Sequence, residues 1–418
     1  MKHLLFLFRM VIILQFDSAN AQPSGIHLSW NSLNIHSTEN TMAITWFNNH
    51  HVESSVKYGI NRQLLQKVTV KSNYSNDGKT YVYSVTLINL KPNTNYYYSC
   101  GSDSDGFSKV SSFTTAPVFG SAKKLVFGVW SDTQDNEFNT QFEKTDTIVK
   151  QLLKYPIQFT VHTGDIVNNG SMVSSWFGFF HTTEPINSKA PLMAVTGNHD
   201  VDNNMNDSGY QKPFPIFYDF LNLPANKTDY SFNYGNTHFV AISSGHAKGV
   251  EEAGNTNWRY ARESPEYAWL ENDLKKARND KHITWIILFM HHPLYSFGWS
   301  HVQGWQDRIT PLVDKYNVDL CLAGHRHVYE RHKAIRNNVP LEPYNLHEYK
   351  KPAGTVYITN GTCGGSPQGV GGKDMPSMLF TSAVKMYNYA IMTIERQHLS
   401  YDVYNEKGAL IDYFSLTK

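Results

Sequence analysis

The chain of 418 residues carries 37 Lys+Arg against 36 Asp+Glu, a formal charge of +1, and is 41% hydrophobic. That length suits two domains better than one, and the apolar content is too high for a disordered chain. A net charge near zero excludes the long-range field that gathers nucleic acid or an acidic membrane, so neither is expected as a partner.

The N-terminus reads as an export signal. Lys2 precedes a mainly apolar stretch from Leu4 to Phe16, interrupted by Arg9, and Ala19-Asn20-Ala21 follows as a small-x-small cleavage pattern. Residues 1–21 are therefore expected to be removed, leaving a secreted or periplasmic protein. The apolar stretch is too short to span a bilayer, and no later segment has the character of a membrane span, so no integral membrane contact is expected. Cys100, Cys321 and Cys363 allow one internal disulfide at most, and Cys321, inside an apolar run, reads as core. Asn-x-Ser/Thr acceptor sites occur at Asn73, Asn206, Asn226 and Asn360.

Residues 22–117 read as short strands. Thr41 to Trp46 and Tyr81 to Leu87 alternate apolar with polar residues, and Leu90 to Asn95 carries turn chemistry before the tyrosine run Tyr96 to Tyr98. Alternating short strands joined by polar turns predict an antiparallel β-sandwich. With Trp46, the Leu90-x-Pro-x-Thr-x-Tyr96 stretch and the closing Ser112-Phe-Thr-Thr-Ala-Pro117, this region resembles a fibronectin type III-like domain. It holds no cluster of catalytic residue types, and a packing or binding role is the better expectation.

Residues 118–418 follow another pattern. Apolar runs end in polar residues and are separated by helical stretches. Leu125 to Trp130 ends at Asp132, Ile157 to Val161 at Gly164-Asp165, and Leu192 to Val195 at Gly197-Asn198-His199-Asp200. Ile283 to Phe289 ends at His291, and Val318 to Ala323 at Gly324-His325-Arg326-His327. Between them, Tyr267, Leu270 and Leu274 recur at helical spacing. Near-continuous apolar strands alternating with helices predict an α/β layered domain, whose ligands sit beyond the carboxyl ends of the strands.

Those strand ends supply the carboxylates Asp132 and Asp165, the carboxamide Asn198 and the imidazoles His291, His325 and His327. Carboxylates mixed with imidazoles, without a thiolate, suit Fe, Zn or Mn. Six ligands exceed what one catalytic ion takes and fit two ions roughly 3.5–4 Å apart, spanned by one carboxylate.

The ordered set resembles the calcineurin-like metallophosphoesterases, and with the preceding sandwich it resembles the purple acid phosphatases over nearly the whole mature chain. Tyr230 to Phe239, Tyr267 to Glu271, His291 to Tyr295, Gly324 to Arg331 and Val356 to Gly361 carry the likeness further. The resemblance implies one ion held by Asp132, Asp165 and His327 and a second held by Asp165, Asn198, His291 and His325. It implies His199 facing the substrate phosphate, Asp200 orienting His199, and His301 as the general acid beside the leaving group.

The chain departs from that family twice. The family has glycine two residues after the first aspartate; here the sequence is Asp132-Thr133-Gln134, and since related phosphoesterases outside this branch often have His at that place, Gln134 either reaches the first ion or holds its water, a place behind the ligands being the better expectation. The family also has a tyrosine whose phenolate binds ferric iron and gives the purple colour, where this chain has Asn168 in Gly164-Asp-Ile-Val-Asn168. A protein without the purple band is therefore expected.

The reading implied is a secreted dinuclear phosphatase that hydrolyses small phosphate monoesters by in-line attack of metal-activated hydroxide. Phosphodiester or nucleotide pyrophosphate hydrolysis on the same fold is a second reading, and an inactive surface-binding module is a third. Aromatic stretches from Val201 to Asn236 and from Phe297 to Trp305 either overhang the strand ends or pack into their own loops.

Overall fold

The computed structural model describes residues 22–134, 142–201, 214–225, 227–244, 260–297, 303–341, 347–370 and 380–418. The expected export segment, Asn206, Asn226 and His301 lie outside these residues.

The N-terminal part is the expected antiparallel sandwich. One sheet is built from Ser24–Ser29, Met42–Asn48, Thr80–Leu87 and Ser72–Ser75. The other takes Gln66–Val70, Ser54–Gly59, Asn95–Ser102 and two short strands, Gly106–Phe107 and Ser111–Thr114. Trp46 stacks on Tyr83 at 5.4 Å between ring centres, and both are fully buried. The turn at Leu90 is closed by the Lys91 N–H, which donates to the Tyr96 hydroxyl at 2.9 Å.

The sandwich packs on the larger domain through polar as well as apolar contacts. His27 stacks on Phe180 at 4.3 Å, and its two ring nitrogens face the carbonyls of Gly25 and Phe220 at 2.7 and 2.9 Å. The Tyr98 hydroxyl donates to the Ser188 carbonyl at 2.7 Å.

The larger domain contains two sheets. In the first, Leu125–Trp130 lies parallel to Phe159–His162, which lies parallel to Leu192–Ala194. On its other side it is antiparallel to Asn388–Glu395, which continues into His398–Asn405 and Leu410–Thr417. In the second, Thr237–Ala241, Trp285–Phe289, Leu320–Ala323 and Thr355–Asn360 run parallel, with Tyr230–Tyr234 and Tyr329–Arg336 pairing antiparallel at the flanks.

The period-two rule of strands explains why Trp285 to Met290 reads as one apolar run. Trp285, Ile287 and Phe289 join Phe127, Phe159 and Phe239 in the core between the sheets. Ile286, Leu288 and Met290 point the other way, against Leu270, Leu274, Ile309 and Leu312 of the covering helices. The helix Pro265–Asn279 begins where Ser264 accepts a hydrogen bond from the Tyr267 N–H, with Pro265 at its first turn. Among the described residues no helix is long and apolar enough to cross a membrane.

Three expectations resolve differently or more narrowly here. Tyr230, Phe232 and Tyr234 form a buried strand, and Phe217 and Phe220 are buried on a short helix, so these aromatics pack the core and do not overhang the strand ends. Trp305 is likewise buried. The Asn360 side chain is fully buried at the end of its strand, which leaves no room for a glycan there, whereas Asn73 is exposed. Cys100, Cys321 and Cys363 are all buried free thiols.

Candidate metal centre

Asp132, Asp165, Asn198, His291 and His325 each follow a parallel strand by a few residues, so the turns that end these strands carry the polar groups to one rim. Asp132, Asp165 and His325 adopt left-handed backbone angles, with φ of 50°, 51° and 68°. Such angles cost non-glycine residues about 1–3 kcal/mol each and persist where surrounding contacts hold them.

Two neighbouring glycines are required by close approach. A Cβ on Gly197 would lie 2.1 Å from Asp165 Oδ1, and one on Gly324 would lie 2.5 Å from Asp132 Oδ2. Both aspartates are thus pressed against backbone that must lack a side chain.

The donor atoms converge in two groups that share Asp165. Ligand-type atoms of Asp165, His291 and His325 all lie within 4.8 Å of one another, as do those of Asp132, Asp165 and His327. Asn198 Oδ1 stands 3.1 Å from His291 Nε2 and 2.7 Å from His325 Nδ1, and those two ring nitrogens are 3.2 Å apart. His291 Nε2 also lies 3.3 Å from Asp165 Oδ2, and His327 Nε2 lies 3.5 Å from Asp132 Oδ1.

The tautomers follow from the partners. His291 Nδ1 faces the Thr163 carbonyl at 2.8 Å, and His327 Nδ1 faces the Ser366 carbonyl at 3.0 Å. A carbonyl only accepts, so each Nδ1 carries a proton and each ring turns its Nε2 into the cluster, where a cation would take the place of any proton on it. Carboxylate oxygens, an amide oxygen and imidazole nitrogens crowd together there. This donor set fits a pair of cations.

The electrostatics agree. Burial by itself would raise the Asp165 pKa, but His291, with His199 and His325 behind it, holds the carboxyl well below the usual range. Burial lowers the His291 pKa, yet the Asp165 charge outweighs it and pushes the imidazole up to about 9. The cluster is thus built to keep negative charge on Asp165 and to draw positive charge towards it.

His199 sits at the mouth with its side chain 38% exposed. Its Nδ1 donates to the Asn168 carbonyl at 2.7 Å, and its backbone N–H donates to Asp165 Oδ1 at 2.8 Å. Asp200, expected to orient His199, does something else. Its buried carboxylate accepts from the N–H groups of Ile166, Val167 and Gly197, clamping the two loops that carry Asp165 and Asn198. The ring of His199 is steered by the Asn168 backbone, because Asp200 is turned inward to satisfy amides that no strand pairs.

A hollow of about 280 Å³ opens over the cluster, lined by Asp165, Asn198, His199, His325, His327 and, in addition, Arg326 and Gln368. The last two are absent from the sequence-derived set. Gln368 follows the glycine-rich stretch Gly361 to Gly365 after the Thr355–Asn360 strand, and that turn composition at a further strand end was the available signal.

Comparison with known proteins accounts for this combination. Residues 125–329 match the calcineurin-like phosphoesterase model, which makes the larger domain that of a metal-dependent phosphoric ester hydrolase. Residues 23–115 match the model of the purple acid phosphatase N-terminal domain. The chain is 28% identical to purple acid phosphatase 21 of Arabidopsis thaliana over 333 residues, which cover 77% of this chain and 67% of that one. It is 27% identical to acid phosphatase type 7 of Mus musculus over 420 residues, covering 93% of this chain and 90% of the relative. Its fold superposes on that of purple acid phosphatase PPD1 from yellow lupin (Lupinus luteus) seeds with a TM-score of 0.78 at 21% identity, over 95% of this chain and 74% of the other. The chain is thus purple acid phosphatase-like, a calcineurin-like phosphoesterase domain behind a purple acid phosphatase N-terminal domain, and purple acid phosphatases work with a dinuclear metal centre.

Proposed function

We propose that this chain is an exported phosphatase that hydrolyses small phosphate monoesters, with one ion held by Asp132, Asp165 and His327 and the other by Asp165, Asn198, His291 and His325. The observation that carries the reading is the convergence of two donor groups on the single carboxylate of Asp165. When bound there, paired ions supply a water that ionises near neutral pH and neutralise charge on the phosphoryl oxygens.

The remaining steps fall to the chain. His199, its Nδ1 proton held on the Asn168 carbonyl, lines the hollow where the phosphoryl group would sit and is the side chain that would contact its oxygens. Arg326 adds positive charge at the rim, which favours the dianion of a monoester over the single charge of a diester. His301, ten residues beyond His291, is the proposed proton donor to the leaving oxygen. The ions are drawn from Fe, Zn and Mn, and with Asn168 where the family has its phenolate the protein is not purple.

Metal analysis of purified protein, with an aryl phosphate monoester and diester assayed on the same sample, tests the reading. The expected result is two ions per chain, monoester turnover well above diester turnover, loss on chelation, and no charge-transfer band in the visible. Two ions with diester turnover dominant would reassign the substrate. Two ions without hydrolysis of either ester would make the chain a binding module.

A further inference from the structure

Two arginines of this chain show how it satisfies a structural guanidinium. Arg331 sets Nε and Nη2 on Asp412 at 2.8 and 3.0 Å and Nη1 on the Tyr349 hydroxyl at 3.0 Å. Arg336 gives Nη1 to Asn317 Oδ1 at 2.8 Å and to the Ala353 carbonyl at 3.0 Å, and Nη2 to the Asp314 carbonyl at 3.1 Å. Each is tied by several bonds of ordinary length.

Arg326 is not tied in this way. Its Nε is buried and has no hydrogen-bond partner, and its Nη2 reaches the Gly369 carbonyl only at 3.4 Å, beyond the usual range of about 2.7–3.2 Å. Among the described residues no carboxylate pairs with it.

The backbone beneath that side chain is fixed. The Arg326 N–H donates to the Gly324 carbonyl at 2.7 Å, and the Val328 N–H donates to the Arg326 carbonyl at 2.7 Å. A Cβ on Gly361 would lie 2.2 Å from that carbonyl oxygen, so the turn is pressed against a second loop. The turn carrying His325 and His327 thus roots an unsatisfied guanidinium at the hollow that Asp165, Asn198 and His199 also line. A buried N–H left without a partner costs about 1–3 kcal/mol, which a bound anion would relieve.

In the reading above, the ions and His199 face the oxygens of the transferred phosphoryl group, to which Arg326 adds a general attraction. Its planar fork of donors, matched to two oxygens of one anion, is left for another acid. A monoester has one substituent on its phosphate, so that acid belongs to the leaving group.

We propose that Arg326 holds a second acidic group of the substrate, and that the preferred substrates are phosphate monoesters whose leaving group carries a carboxylate or another phosphate. This rests on the reading of the hollow as a phosphate site, and it makes Arg326 a determinant of specificity at that site.

The test is binding of non-hydrolysable phosphonates to the metal-loaded protein by titration calorimetry, for wild type, Arg326→Ala and Arg326→Gln. Propylphosphonate carries one acid. 3-Phosphonopropionate adds a carboxylate, and propane-1,3-diphosphonate adds a second phosphonate, each on a flexible stem. Wild type binds at least one of the doubly acidic probes about tenfold or more tighter than propylphosphonate, and the two arms show whether carboxylate or phosphate is the better fit. In both variants that probe falls to the affinity of propylphosphonate.

Equal affinity of wild type for all three probes overturns the proposal. An advantage that survives in both variants also overturns it, because the second acid would then be held elsewhere. If wild type binds none of the probes, the phosphate reading of the hollow fails and the proposal falls with it. Melting curves check that the variants fold, and should Arg326→Ala not fold, Arg326→Gln decides alone.

Discussion

His291 Nε2 and Asp165 Oδ2 stand 3.3 Å apart at the ends of strands that belong to different sheets. The pair is held from both sides, because the His291 Nδ1 proton is donated to the Thr163 carbonyl on the loop that leads to Asp165. The centre is therefore a joint between the two sheets, and its geometry depends on how they face each other.

Asp165→Asn tests that joint. The substitution keeps the shape and the acceptor for the His199 N–H at 2.8 Å, but it removes the charge that both donor groups share. Monoester turnover is expected to fall by about two to three orders of magnitude or more, and metal content to drop below two ions per chain. Far-ultraviolet circular dichroism should match wild type. Full metal content with normal turnover would contradict a bridging role.

Arg326→Ala probes substrate charge. The guanidinium lines the hollow beside His199, and its Nη2 makes only a long 3.4 Å bond to the Gly369 carbonyl. Its loss is expected to raise KM for a phosphate monoester by about tenfold while kcat changes little, since a rim charge contributes mainly to binding. Steady-state kinetics separate the two parameters; a fall in kcat with KM unchanged would place Arg326 in the chemical step.

His27 sets a pH dependence at the domain contact. Burial pushes its pKa down to about 4, against the pull of the Gly25 and Phe220 carbonyls. The unfolded chain takes up a proton that the folded chain refuses, so stability is complete above the ordinary value of 6.5 and falls as the pH drops towards 4. The loss attributable to this ring is about 3 kcal/mol. The melting temperature of His27→Gln, compared with wild type from neutral to acid pH, should decline less steeply. Parallel curves would mean that His27 does not carry the slope.

Asp412→Leu should be among the most damaging changes away from the centre. Asp412 takes Arg331 Nε at 2.8 Å and Nη2 at 3.0 Å, and also accepts the Tyr329 hydroxyl at 2.8 Å, all within buried surroundings. Removing Asp412 takes a buried carboxylate away from the Arg331 guanidinium, a loss of about 3–5 kcal/mol. Denaturant unfolding measures it. The strand carrying Arg331 begins just after His327, so reduced affinity for the ion beside His327 should accompany the loss.

Elements set by spacing along the chain were legible without a structure. The alternation in Met42–Asn48 and Thr80–Leu87, the helix around Leu270 and Leu274, and the apolar strands ending in Asp132, Asp165, Asn198, His291 and His325 all follow from local periodicity. The side chains named for the two ions could be picked out because each ends a strand, and parallel strands deliver their ends to one rim.

Relations between distant segments were not legible in the same way. The aromatic residues Phe217, Phe220, Tyr230 and Phe232 read equally well as loop or core, and only packing against Phe47, Phe177 and Phe239 settles it. Asp200 was assigned to its neighbour His199, but its oxygens were claimed by backbone amides of its own loop and of the loop that carries Asp165.

What the sequence determined by itself, then, was the inventory: which strands form, which polar residues terminate them, and which chemistry those residue types permit. Periods of two and 3.6 residues are local properties of a chain. Only the tertiary structure decided that Gln134 lies between Asp165 and His327, that Arg326 and Gln368 line the mouth, and that His199 leans on the Asn168 carbonyl. Those contacts join loops of neighbouring strands and of two sheets, and their distances are fixed by how the strands pair and how the sheets pack on the aromatic core between them, which no local spacing encodes.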